Sequence, residues 1–225
     1  MRRRTTTALA AAALTALAAT GCSSSATPDA SSTVSDQPAA PAQPAAALTS
    51  QALTKRLLDE TDLGQSYTRK SESDSGRDDV TVIGCPALEN LGGDAAAGGS
   101  LDFPNSAKAT FTYTRSTNSE IAEELYSDTA DKLGPNTKTV FEAMTGCPVY
   151  QIVVGDTPIA ITTQKLPAPA LGDEAWSQLL TFTAGGRDTV MKQTAVRAGS
   201  VLVVVSGSPA LVDTHLARAV EKARG

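Results

Sequence analysis

The hydrophobic residues divide the chain into a short apolar stretch, a polar stretch and a long region of periodic segments. Residues 8–19 are mostly apolar, but they are too few to cross the hydrocarbon core of a bilayer, which takes about 20 residues. Residues 23–47 consist mainly of Ser, Ala, Pro, Thr and Gln. From Leu48 onward the apolar positions recur at helix or strand spacing, so we expect the folded part to begin there.

Apolar spacings of three and four residues predict the helices. A first helix is expected over residues 48–63, ended by Gly64, and a short one over residues 87–91. Asn118 or Ser119 is expected to cap a third helix. A fourth would start at Asn136 or Thr137 and run to the second internal cysteine. The last helix opens at Ser208-Pro209, since proline is favoured at the first helical position.

Alternating apolar and polar residues predict the strands. These strands cover residues 65–70, 80–83, 107–115, 150–154, 159–163, 179–183, 189–197 and 200–205. Several of the last five are separated by short glycine-containing turns, which favours an antiparallel meander. The sequence therefore predicts an α+β domain, with helices packed on one face of a twisted antiparallel sheet.

The amino terminus has the features of a lipoprotein signal peptide. Three arginines precede the apolar stretch, and Leu17-Ala18-Ala19-Thr20-Gly21 leads into Cys22. Small residues before a cysteine resemble a lipobox, although Ala19 stands where leucine is common. We expect residues 1–21 to be removed and Cys22 to carry diacylglycerol, which would attach the protein to the outer side of the cell membrane. The alternative is an ordinary secretory signal that leaves Cys22 as a thiol. Both the general and the twin-arginine export routes stay open.

The stretch that follows is expected to be a disordered tether. Residues 22–47 contain four prolines, two aspartates and no aromatic residue, so they cannot bury enough apolar surface to offset the entropy of ordering. As a coil, such a segment has a root-mean-square reach of about 28 Å. We expect a single extracytoplasmic domain to occupy residues 48–225.

The charge balance excludes one class of partner. The 225-residue chain has 19 basic and 24 acidic residues, a net charge of −5, and no basic stripe. Nucleic-acid-binding proteins show the opposite balance. We therefore expect no nucleic-acid partner.

Two cysteines remain inside the expected domain, Cys85 and Cys147, each followed by proline. An even number of cysteines in an oxidising compartment favours a disulfide. Two buried thiols are the alternative. Zinc would need four ligands, and His215 is the only histidine. A redox pair is disfavoured because the chain has no Cys-x-x-Cys motif.

The residues that usually carry catalysis are sparse. The single histidine, His215, falls in the last predicted helix, and the glycine-rich residues 92–99 lack the spacing and lysine of a phosphate-binding loop. An acidic cluster consists of Glu72, Asp74, Asp78 and Asp79. The spacing of these residues does not match that of a calcium-binding loop. We assign no catalytic residue, no metal ligand and no cofactor, and expect that the protein is not an enzyme.

The other notable acidic and aromatic residues are interpreted mainly as structural residues. Asp173 and Glu174 are interpreted as turn residues, and Trp176 as a core residue or the wall of a pocket. Three glutamates, Glu120, Glu123 and Glu124, fall near the start of a predicted helix, where acids favour the dipole. An apolar groove is expected between the sheet and the helix at residues 118–133. The aromatic residues expected along it are Trp176, Phe182, Phe111 and Tyr126.

Several short motifs resemble a known family. They are Cys85-Pro86, Thr145-Gly146-Cys147, Leu171-Gly172-Asp173-Glu174 and the segment RAGSVLVVV at residues 197–205. The layout from residue 57 onward is similar to the actinobacterial sensor domains of receptor serine/threonine kinases of the PknH type, and to lipoproteins that carry such a domain alone. Those sensors typically have two disulfides, whereas this chain can form one. The resemblance implies an α+β fold with a cleft for a ligand, and it identifies no ligand-binding residue.

Three functions compete on these grounds. The first is a membrane-anchored ligand-binding or sensor-like module of the cell envelope. The second is a structural or assembly partner of another envelope protein, which a large exposed apolar patch would favour. The third is a hydrolase that uses carboxylates alone, which requires two carboxyl groups facing each other across a cleft.

Overall fold

The structure is a computed structural model that describes residues 46–71, 80–92, 101, 103–116 and 119–225. The predicted signal peptide, Cys22 and nearly all of the predicted tether lie outside these residues. So do the acidic cluster at residues 72–79, most of the glycine-rich segment and Asn118.

Five helices and nine strands make up the described part. The helices are α1 Ser50–Thr54, α2 Glu60–Leu63, α3 Pro86–Glu89, α4 Ala130–Gly146 and α5 Pro209–Arg224. The strands are β1 Tyr67–Arg69, β2 Val80–Ile83, β3 Asn105–Tyr113, β4 Glu120–Ser127, β5 Val149–Val154, β6 Thr157–Leu166, β7 Glu174–Ala184, β8 Arg187–Ala198 and β9 Val201–Gly207.

All nine strands join one antiparallel sheet in the order β1-β3-β4-β9-β8-β7-β6-β5-β2. Strands β5 to β9 follow each other as a meander, which short turns make the natural arrangement. The predicted α+β class with an antiparallel sheet is confirmed. Among the described residues, no helix is long and apolar enough to span a bilayer.

The helices lie on both faces of the sheet, so the prediction of a single covered face is wrong. Side chains alternate along β9: Val201, Val203 and Val205 pack with α1, α2 and α5, whereas Leu202 and Val204 pack with α4. We call these the α5 face and the α4 face. The short helix α3 also lies on the α4 face, where it shares a core with β2, β5 and β6. The sequence pattern shows that β9 is buried on both sides but does not say which helix covers which side.

The segment predicted as a helix from residue 118 is the strand β4. Ile121 and Leu125 are four residues apart, which suits one face of a helix but also one face of a strand. In the structure both side chains join the core on the α5 face, and Tyr126 points to the opposite face. Pairing with β9 on one side and β3 on the other decides between the two structures.

Two predicted helix boundaries are also wrong. Helix α4 begins at Ala130 and continues through Pro135, because Leu133 and Phe141 anchor it to the core on both sides of the proline. The expected helix over residues 48–63 is two short helices, since Asp59 caps α2 with a side chain that accepts from the backbone of Thr61 and Asp62.

The predicted disulfide between Cys85 and Cys147 is present, with 5.7 Å between the Cα atoms. Cys85 immediately precedes α3 and Cys147 immediately follows α4. The bond therefore fixes the edge of the sheet at β2 to the end of the long helix. Neither cysteine is available as a nucleophile or a metal ligand.

Candidate functional site

A groove of about 390 Å³ opens between α4 and the connection from β6 to β7. Trp176 on β7 faces α4, and its ring centroid lies 6.5 Å from that of the buried Phe141. Leu166, Pro167 and Ala168 form the opposite wall. The groove is apolar because two aromatic rings and a proline-containing segment line it.

The rim of this groove is polar. Lys138, Glu142 and Lys165 lie at its mouth, and Lys138 is 3.7 Å from Glu142 one helical turn away. The hydroxyl of Thr145 also lines the groove but donates to the carbonyl of Phe141 at 2.7 Å. Glu142 is the only carboxylate among the described lining residues. The arrangement offers an apolar floor and charged groups at the entrance, which is typical of ligand-binding sites.

A second groove, of about 440 Å³, lies where the described chain begins. Ala46 accepts from the hydroxyl of Ser200 at 3.2 Å. Arg56 donates to the carbonyl oxygens of Ala223 and Arg224 at 2.7 and 3.0 Å. These polar groups cap the last turn of α5 and hold the incoming chain, so they serve the structure.

The sequence motif at residues 171–174 forms a clamp around Arg197. The guanidinium of Arg197 donates to Asp173 at 3.0 Å and to Glu174 at 2.6 Å. Gly172 has a φ of +68°, and a Cβ there would collide with the carbonyl oxygen of Arg197. Asp173 precedes β7, in agreement with its interpretation as a turn residue, and Glu174 begins the strand. Two of the motifs that indicated the family resemblance, residues 171–174 and 197–205, therefore contact each other, and this contact is structural.

The lone histidine is a packed residue. His215 on α5 is 8% exposed, and its Nε2 is 2.7 Å from the hydroxyl of Tyr67. Burial lowers the pKa of His215. It is not among the residues that line either groove.

The acids expected near a helix start lie instead on β4 and point alternately to the two faces. Glu124 on the α4 face binds Lys108 at 2.5 Å and accepts from Tyr126. Glu120, at the beginning of the strand, pairs with Lys70 at 2.8 Å.

Glu123, on the α5 face, is enclosed in the core. It is 1% exposed, and the backbone N–H of Leu58 donates to its Oε2 at 2.6 Å. Its Oε1 has no partner among the described residues. Burial raises the pKa of the Glu123 carboxyl to about 7, although the bond from Leu58 favours the charged form. Glu123 therefore holds its proton well above the pH at which a carboxyl group ordinarily ionises.

An ionic cluster next to this carboxyl joins α2 to the end of α5. Lys222 donates to Asp59 at 2.7 Å and also to Asp62, and Arg218 donates to Asp62 at 2.8 Å. Burial opposes the charge of Asp62, but Lys222 and Arg218 hold the pKa of Asp62 below its ordinary value. No group of three or more His, Cys, Asp or Glu side chains suited to a metal ion occurs among the described residues.

The structure brings only one of the four predicted groove aromatics to the groove. Trp176 lines it, as a partly buried wall residue. The other three belong to separate parts of the core: Phe111 on the α5 face, Phe182 beside the β5–β6 core and Tyr126 beneath Leu101. Sequence reasoning missed Phe141 as a groove residue, although its place in a predicted amphipathic helix could have indicated it.

No protein-family model and no curated protein matches the sequence. Among solved structures, the chain is similar to the extracellular domain of PknH from Mycobacterium tuberculosis, with a TM-score of 0.58 and 15% sequence identity. The match covers 81% of this chain and 98% of that one. The resemblance to the PknH-type sensor domain is thus confirmed at the level of the fold. At this identity no binding residue can be transferred from one chain to the other.

Proposed function

We propose that the protein is a lipoprotein anchored through Cys22, whose extracytoplasmic domain binds a ligand in the groove between α4 and the β6–β7 connection. The observation that carries the binding function is the apolar groove with Trp176 and Phe141 in its lining. The fold shared with an extracellular domain and the Cys85–Cys147 disulfide support a location outside the cytoplasm. The tether would let the domain sample space near the membrane.

Binding accounts for the groove better than hydrolysis does. A glycan hydrolase needs two carboxyl groups about 5–10 Å apart across its cleft. Among the described lining residues, Glu142 is the one carboxylate of this groove and Asp173 the one carboxylate of the other. Asp173 is also engaged by Arg197.

The groove gives a direct fluorescence test, because Trp176 is the only tryptophan of the chain. We expect anilinonaphthalene sulfonate, an apolar aromatic anion, to bind in the groove of the non-lipidated chain from Ser23 onward and to quench Trp176 emission saturably. The substitution Ala168→Phe should fill the groove and weaken this binding at least about tenfold, which corresponds to 1.4 kcal/mol.

The control substitution is Ala170→Phe, which adds the same ring two residues further along the same exposed loop, outside the groove lining. Its binding curve should match that of the unmodified protein. Equal weakening by both substitutions, or quenching that does not saturate, would contradict a binding site in the groove. Native mass spectrometry of the protein purified from its own envelope would then identify the natural ligand.

The anchor has its own test. We expect Cys22→Ala to abolish the mass added by the lipid, to prevent cleavage by the lipoprotein signal peptidase and to release the protein from the membrane fraction. The neighbouring substitution Ser23→Ala should leave all three properties unchanged. A Cys22→Ala protein with unchanged mass and membrane fraction would show that the chain is held in another way.

A second candidate function, an assembly partner of the envelope, is favoured by one observation. Three of the four exposed large hydrophobic residues of the described chain, Ile83, Val149 and Val190, lie on one face of the sheet. None of the three residues is among those that line the groove.

A further inference from the structure

Half of the α5 face of the sheet carries no helix among the described residues. On this face α1, α2 and α5 pack against β1, β3, β4, β9 and β8, whereas α3 and α4 lie on the opposite side. The outward positions of β2, β5 and β6 and those of β7 from Leu179 onward, together with Val190 on β8, therefore form one surface, which we call the open face. Ile83 pairs with Gln151, and Val190 pairs with Thr181, so the register places them on this same side.

The open face is uncharged. Its exposed large hydrophobic residues are Ile83, Val149 and Val190, which are 49%, 65% and 45% exposed. Most positions between them are threonine, valine, alanine or glutamine. None of the positions that β2, β5, β6 and β7 present on this side is Asp, Glu, Lys or Arg, in a chain with 19% charged residues. Among the described residues, charges on this side occur only at the margin, at Asp188, which accepts from Thr183 at 2.6 Å, and at Lys192, which pairs with Asp213.

We propose that the open face binds the open face of a second copy of the same chain. Depletion of charge is the compositional mark of an interface core. An uncharged surface of small apolar and hydroxyl side chains is complementary to itself, because it requires no opposite charge from its partner. Two such faces pack about 10 Å apart with their strands nearly aligned, and a two-fold axis brings each residue near its own copy.

The size of the surface predicts a weak dimer. Five strands about 4.8 Å apart, with outward residues over about 20 Å of strand, cover roughly 500 Å² per copy. A standard stable interface buries about 800 Å² per partner. Attachment of both copies to one membrane raises their effective concentration and favours such a weak complex. This last step rests on the proposed anchor at Cys22, whereas the surface itself does not.

The test is cysteine cross-linking of the full chain in its own membrane. Thr162→Cys places a thiol on the exposed part of the open face, and a short bismaleimide should then join two copies into a species of twice the monomer mass. Adding Val190→Lys brings like charges together across the interface, and we expect the cross-linked fraction to fall at least about tenfold.

The matched control is Thr189→Lys, since Thr189 is exposed on the same strand but faces the other side of the sheet. Cross-linking should persist in that variant, and unchanged Trp176 emission would show that both lysine variants are folded. The proposal is overturned if no species of twice the mass forms, if the adduct contains a different protein, or if both lysine variants reduce it equally.

Discussion

Replacing Cys85 and Cys147 together with alanine is expected to lower the free energy of unfolding by about 4 kcal/mol. The bond closes a loop with a sequence separation of 62, and the loss of that constraint frees the unfolded chain by about this amount. The expected effect is large compared with the 5–15 kcal/mol that stabilise a typical domain.

The loss of stability should appear first at the edge of the sheet formed by β2. Leu88 on α3 packs with Met144 on α4 and Tyr150 on β5, and the disulfide holds these elements at fixed spacing. Without it, β2 keeps only β5 as a neighbour in the sheet. Hydrogen exchange should therefore accelerate in β2 and α3 before it does in β9, which lies between two strands and has helices on both faces.

Urea unfolding of the oxidised protein, the double variant and the single variant Cys147→Ala measures this effect. The single and double variants should lose similar stability, because either one removes the cross-link, although the single variant retains the thiol of Cys85. A loss below about 1 kcal/mol in both would mean that the bond does not constrain the unfolded chain as the loop length implies.

Elements with local signals could be predicted from the sequence. The last helix was predicted because Ser208-Pro209 marks its start and Val212, Leu216 and Val220 recur on one side. The meander was predicted from alternation and glycine turns. The disulfide was predicted because only two cysteines remain once Cys22 is set aside, and the structure confirms it.

The features that sequence reasoning missed depend on contacts between distant segments. A spacing of four residues, as between Ile121 and Leu125, fits a helix and a strand equally, and only pairing with β9 resolves it. Glu123 looked like a residue at the start of a helix because nothing in the local sequence shows that Leu58 will donate to it from 65 positions away.

The candidate site was predicted only in part, because it too depends on contacts between distant segments. An apolar groove between the sheet and a helix was expected, and Trp176 was interpreted as a core residue or the wall of a pocket. The helix that forms the groove is α4 rather than the expected segment at residues 118–133, because that segment joins the sheet. Phe141 on α4 therefore lines the groove, where the prediction had placed Phe111, Phe182 and Tyr126.

The buried carboxyl of Glu123 is expected to make the stability of the domain fall as the pH rises toward neutrality. The pKa of Glu123 is about 7 in the folded protein, above its ordinary value of 4.5, so the folded state holds the proton more tightly than the unfolded state. The stability that this group contributes is complete below about pH 4.5 and is lost as the pH rises through 7. The difference between the two pKa values corresponds to about 3 kcal/mol in the free energy of unfolding.

Glu123→Gln should remove this dependence, because the amide keeps an oxygen for the N–H of Leu58 and cannot ionise. Below pH 4.5 the variant should have nearly the stability of the unmodified protein, and above pH 7 it should be more stable by about 3 kcal/mol. Asp59, Asp62 and His215 also have shifted pKa values, so the measured quantity is the difference between the two curves of unfolding free energy against pH.

Glu123→Ala serves as the control, since it also cannot ionise but leaves the Leu58 N–H unpaired. It should be less stable than Glu123→Gln by about 1–3 kcal/mol at every pH. A difference curve for Glu123→Gln that stays flat between pH 4.5 and 7 would show that the carboxyl is charged and accommodated in the folded protein at neutral pH.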